Sequence, residues 1–140
     1  ALFAVAIGAS SFARSHKMDD GFAPENNLWI GADEKTASTV TKEAFNKIMD
    51  DVSTIYAPIV KAKGGTLAFQ RNWDDGTVNA YASRQGTTWV VAMFGGLARY
   101  NNMTVDGFTY VVCHELGHHL GGAGAPDFGL ARLNWPSSPP

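Results

Sequence analysis

An α+β fold is predicted by three observations. One long apolar stripe recurs at helical spacing, three strand-like segments follow it between glycine turns, and a second helical segment closes the patterned part of the chain. With 140 residues the chain is long enough for a single domain with one core. Its 45% hydrophobic and 17% charged residues are those of an ordinary globular protein. A net charge of −2 provides no attraction for nucleic acid or an anionic membrane. No segment has the length of a membrane-spanning helix. The single cysteine, Cys113, excludes an intrachain disulfide and reads as a small buried hydrophobe.

The elements follow in order. Residues 1–13 are apolar and end in Ser11-Phe12-Ala13, the small-x-small pattern of a secretory cleavage site. They predict the remnant of a signal peptide and an exported, secreted or periplasmic protein. Residues 14–36 are polar and turn-rich, with only Leu28-Trp29-Ile30 strand-like. A helix begins at Thr41 with Glu43 in its first turn. Phe45, Ile48, Met49, Val52, Ile55, Tyr56 and Ile59 supply its buried stripe. Pro58 is expected to kink or end that helix, and Gly64-Gly65 to terminate it. Three strands are predicted at residues 66–71, 77–83 and 88–94, joined through Asp74-Asp75-Gly76 and Gln85-Gly86. They form a small antiparallel or mixed sheet of about three to four strands. Gly95-Gly96 and Asn101-Asn102 mark the loop into the last helix. The acidic pair Asp74-Asp75 reads as a solvated turn. The assigned domain is 14–126, and 127–140, ending in Trp135-Pro136-Ser137-Ser138-Pro139-Pro140, reads as an irregular tail.

Chemistry concentrates in His114-Glu115-Leu116-Gly117-His118. Residues four apart lie one above the other on a helix. His114 and His118 can therefore both present imidazole nitrogens to one Zn²⁺, while Glu115 is placed to deprotonate a water on it. Such a string arises by chance in on the order of one chain in a few hundred of this length, so its surroundings decide. Here it is correctly phased. Thr104 is placed to cap the helix, Asp106 puts negative charge in the first turn, and Gly121-Gly122 stops it. Phe108, Val112 and Leu116 form a buried face, and Tyr110, His114 and His118 a second stripe. His119, about 100° round from His118, is assigned to supporting the site or to solvent. His16 reads as a solvated histidine.

With these residues in view, the chain resembles the gluzincin zinc metallopeptidases, most closely soluble relatives of the CAAX-prenyl-endopeptidase-like family, with thermolysin more distant. Val78-Asn79-Ala80-Tyr81-Ala82 carries the likeness, followed through a strand and Gly95-Gly96-Leu97 by His114-Glu115-Leu116-Gly117-His118. The likeness covers about residues 41 to 122. It implies a zincin-like fold, with a long N-terminal helix, a small mixed sheet and an active-site helix bearing the motif. It also implies zinc held by His114 and His118, Glu115 as general base, and a peptide or protein substrate. Asn79 and Ala80 would border the cleft on the strand along which an extended substrate adds. Tyr110 or Tyr81 is available to steady an oxyanion.

The third zinc ligand departs from the pattern. Gluzincins take it from a Glu on a later helix, yet Asp127 is the only carboxylate residue after Glu115. It falls three residues late for the related H-E-x-x-H-x-x-G-x-x-Asp spacing, and the position of a third histidine is Gly124. The expectation is a partial chain with its third ligand outside these residues. The alternative is a catalytically incompetent, zincin-like binding module. A third possibility is a structural domain in which the motif is accidental.

Overall fold

The computed structural model describes residues 21–121. The signal-like run, His16, Asp127 and the tail lie outside the described residues. The elements are α1 (Lys42–Ala62), β1 (Thr66–Asn72), β2 (Ala80–Gln85), β3 (Thr88–Phe94), α2 (Gly95–Ala98) and α3 (Val105–Gly121). The protein is thus mixed α+β, with three helices and a three-stranded mixed sheet among the described residues.

Both ends of α1 are built from local chemistry. Thr41 is extended (φ −81°, ψ 167°) and its side chain accepts from the Ala44 amide at 3.1 Å, as an N-cap does. At the other end Gly64 has φ +83°. The Gly65 amide donates to Val60 and the Gly64 amide to Lys61, both at 3.0 Å, the paired bonds of a Schellman stop. Of the two outcomes expected of Pro58, it does not end the helix: α1 runs through it to Ala62. A proline so near the C-terminus removes one amide and leaves the last turn and its glycine stop intact. Phe45, Ile48, Met49, Val52 and Val60 are buried. Ile55 (61% exposed) and Ile59 (42% exposed) are not, which corrects the predicted stripe. The helix packs on β1 and α3, and these cover a narrower face than the periodicity marks out.

The sheet order is β1-β3-β2. β3 is central, parallel to β1 from Thr66↔Thr88 to Asn72↔Phe94. It is antiparallel to β2 from Ala80↔Met93 to Gln85↔Thr88. Gly86 takes φ +61° in the two-residue connection, where a left-handed first position suits the strand twist. β2 starts at Ala80, three residues later than expected. The preceding residues are committed elsewhere: the Asp75 carboxylate accepts from the Thr77 amide at 2.9 Å, and the Gly76 carbonyl accepts from Ile30 at 2.8 Å. The short strand expected at residues 28–30 reduces to one bridge, Trp29↔Thr77.

Two helices, α1 and α3, share one side of the sheet, the first against β1, the second against β2 and β3. Phe45, Met49, Met93, Phe108 and Leu116 meet there, all essentially inaccessible. Each contributes about 1.5–3 kcal/mol by burial. The Phe45 ring lies 5.2 Å from Trp73 and 5.3 Å from Phe108, tying α1 to both the turn after β1 and α3. Arg99, which the sequence reading passed over, is buried (5% exposed). Its guanidinium donates to the carbonyls of Ile30, at 2.9 and 3.1 Å, and Trp73, at 2.9 Å. It also lies over the Trp73 ring. One cation therefore serves backbone carbonyls of two irregular segments at once.

Candidate metal centre

α3 presents its histidines because its other side is committed to the core. The Thr104 hydroxyl accepts from the Gly107 amide at 3.0 Å, and Asp106 sits in the first turn, so the start of the helix is satisfied as predicted. Phe108, Val111, Val112, Glu115, Leu116 and His119 face inward. Tyr110, His114 and His118 are exposed, and so is Cys113, which corrects its assignment as a buried hydrophobe. His119 is also corrected in part, since it is buried and not solvated. It stacks on Trp89 (5.6 Å, 24°) and its Nε2 lies 2.8 Å from the Val90 carbonyl. A carbonyl only accepts, so Nε2 carries the hydrogen. Burial, first of all, holds its pKa below the ordinary value, which keeps the ring neutral. Arg84, lying over Trp89 at 4.2 Å, donates to the His119 carbonyl at 3.0 Å and so places a cation near the helix C-terminus.

His114 and His118 bring their Nε2 atoms to 3.1 Å of one another. Two nitrogens bound at about 2.0–2.1 Å to one tetrahedral Zn²⁺ stand roughly 3.3 Å apart, so the pair has the right separation. Glu115 completes a group whose ligand atoms all lie within 4.8 Å of one another. Among the described residues no further His, Cys, Asp or Glu joins these three. His114 is held below its usual pKa by burial and by the neighbouring His118, which favours the neutral, ligating form.

Glu115 is the unusual group. It is fully buried, and neither carboxylate oxygen has a hydrogen-bond partner. Burial raises its pKa to about 7, opposed in part by the Ala82 backbone amide of β2. An orphaned acid in this position fits a catalytic base that works on a water, and it fits a structural role poorly.

The same shift has a consequence for stability. Protonated Glu115 is the form the fold favours, so its contribution is fully present below the unfolded-state value of about 4.5 and is lost as pH rises through about 7. Ionisation of Glu115 is therefore expected to cost the metal-free protein on the order of 2–3 kcal/mol between pH 5 and pH 8, read as the fall in urea stability of wild type relative to Glu115→Gln over that range. The comparison isolates Glu115, because protonation of His114 and His119, both held below the ordinary value by burial, destabilises both proteins alike on the acid side. Equal slopes in the two proteins would contradict the assignment.

The remaining predicted residues border this centre. Asn79 is fully buried at the start of β2. Its side-chain oxygen accepts from the amides of Ala23 and Ala80, each at 2.9 Å, and its amide donates to the Ala23 carbonyl at 3.1 Å. Ala80 accepts from the Phe22 amide at 3.0 Å. Ala80 and Ala82 share the side of the sheet that carries Val91 and Met93, so Tyr81 points to the opposite side. Its ring lies 5.8 Å from Phe94, turned away from α3. Tyr110 stays with the histidines, its ring 6.2 Å from His114. Phe22, absent from the sequence reading, stands edge-on to His114 at 5.5 Å. It also lines an apolar cavity of about 480 Å³ with Val78, Leu97, Tyr100 and Met103. A lone phenylalanine in a polar segment gives no signal of such a position.

Comparison with known proteins finds no matching family model, no matching curated protein and no matching solved structure.

Proposed function

We propose that this chain carries a zinc-dependent peptidase site of zincin type, resembling the gluzincins. The observation that carries the reading is the buried, unpartnered Glu115 beside two histidine nitrogens 3.1 Å apart. His114 and His118 are the residues that would hold the ion. When bound, zinc supplies Lewis acidity, lowering the pKa of a water and polarising a carbonyl. Glu115 accepts the proton of the attacking water and delivers it to the departing amine. A pKa of about 7 suits a group that must both take and give a proton near neutrality. An extended peptide lies along β2, with Asn79 and the Ala80 carbonyl as its hydrogen-bonding partners. Export is part of the same proposal, from the apolar residues 1–13.

One observation favours a second reading, a zincin-like module that binds without cleaving: the described residues contain no third ligand besides the Glu115 needed as base. Zinc content after exhaustive dialysis, measured by elemental mass spectrometry, separates the two when paired with a peptide-cleavage assay. The expected result is about one zinc per chain, lost in His118→Ala. Peptide cleavage should be abolished by a chelator and restored by zinc. A chain that keeps zinc but cleaves no peptide is the binding module. A chain that retains no zinc has its third ligand outside these residues, and failure to bind added zinc as well overturns the metal centre.

A further inference from the structure

The edge of β2 that faces away from β3 is already partly taken. Gly21 pairs antiparallel with Tyr81, and the Phe22 amide donates to the Ala80 carbonyl at 3.0 Å. Asn79 grips Ala23 twice, accepting from its amide at 2.9 Å and donating to its carbonyl at 3.1 Å. The Phe22 ring stands edge-on to His114 at 5.5 Å. Main-chain hydrogen bonds to an edge, with an intervening side chain seated in the adjoining site, are how an added strand is recognised. The fit is close, since a Cβ on Gly21 would come within 2.8 Å of the Asn79 side chain.

We propose that residues 21–23 are an intramolecular peptide ligand. They occupy the path of an incoming peptide along β2 and set the Phe22 ring edge-on against the exposed His114 until displaced. That the incoming peptide is a substrate rests on the peptidase reading; the occupancy of the edge does not. The hold is of the kind that can be released. Its described ladder is a single bridge. Pro24 follows immediately and has no amide with which to continue it. Phe22 remains 36% exposed, and residues 24–29 are all exposed. Tethering raises the local concentration of such a segment into the millimolar range. It therefore outcompetes a dilute peptide without closing the site permanently.

The test is binding of a fluorescein-labelled peptide with the sequence of residues 19–27 to the full chain, read by anisotropy immediately after mixing. Wild type is compared with Phe22→Pro, which removes the amide that bonds Ala80 and the ring on His114, and with Gly21→Val, which drives the segment off Asn79. Circular dichroism checks the fold of each. Both variants are expected to bind the peptide at least about tenfold more tightly than wild type. Equal binding to all three proteins overturns the proposal, as does no binding to either folded variant. Loss of fold in both variants would show an obligatory structural strand and overturns it as well. If only one folds, that one decides. With zinc present, both variants should also cleave a quenched peptide faster. Absence of cleavage alongside the expected anisotropy difference counts against the peptidase reading and leaves the occupied edge standing.

Discussion

Glu115→Gln is expected to keep its zinc and to lower peptide hydrolysis by about 10²–10⁴-fold, the usual contribution of a positioned general base. The amide has the size of the acid, so His114 and His118 on the exposed side of α3 are undisturbed. What is lost is the proton acceptor facing the Ala82 amide from a fully buried position. The fall should appear in kcat, since the group acts on the reacting water and not on substrate binding. Stability should move the other way. At pH 8 the wild-type metal-free protein holds an ionised carboxylate with no partner, whereas the variant holds a neutral amide, so the variant should unfold at higher urea. An inactive, zinc-replete and more stable variant is hard to explain by damage to the fold. Unchanged turnover would remove Glu115 from the mechanism.

The second large effect lies away from the histidines. Gly96→Ala is expected to destabilise the protein by about 3 kcal/mol, lowering Tm by roughly 10–20 °C for a domain of this size, as calorimetry can measure. A Cβ at Gly96 would fall inside the contact radius of the Gly76 carbonyl, and one at Gly95 inside that of Trp73. Both obstacles are backbone and cannot swing aside. The start of α2 is pressed against this turn by the Gly96 amide, which donates to the Asp75 carbonyl at 2.9 Å, and by Arg99. Shifting it displaces Leu97, Tyr100 and Met103, the wall of the cavity beside Phe22. Gly117→Ala is the internal control. It sits within α3 with open space around its Cβ position, and alanine there should stabilise by about 0.5–1 kcal/mol. A Gly96→Ala protein as stable as wild type would mean that the turn at residues 73–77 can move, contrary to its bonding.

Much of the fold could be read from local pattern. The caps at Thr41 and Thr104, the stop at Gly64-Gly65 and the three strands lie where the residues predict them, to within a few positions. Tyr110, His114 and His118 also form the second stripe expected of them, and the structure leaves it exposed. The misses share a cause. Ile55 and Ile59 are apolar at the right spacing yet exposed, because periodicity marks a stripe without saying how wide the opposing surface is. Pro58 sits where the helix could spare one amide. Cys113 and His119 exchanged expected environments because the inward face of α3 is set by what packs on it, β2 and β3.

The sequence by itself determined α1, α3, the three strands to within a few positions and the pairing of His114 with His118, since each depends on residues a few positions apart whose geometry a helix or turn dictates. Gly95-Gly96, read as loop, instead begins the short helix α2, because its amide bonds and close backbone contacts come from the distant turn at residues 73–77. The tertiary structure alone decided the order β1-β3-β2 and the burial of Glu115 without a partner. It alone also set the bonds of Arg99 to the carbonyls of Ile30, Trp73 and Asp75 and the grip of Asn79 on Ala23, 56 residues away. Those features arise from groups distant in sequence that meet only when the apolar faces of α1, α3 and the sheet close on one another. No local pattern specifies which backbone will stand opposite a given side chain once water has been excluded.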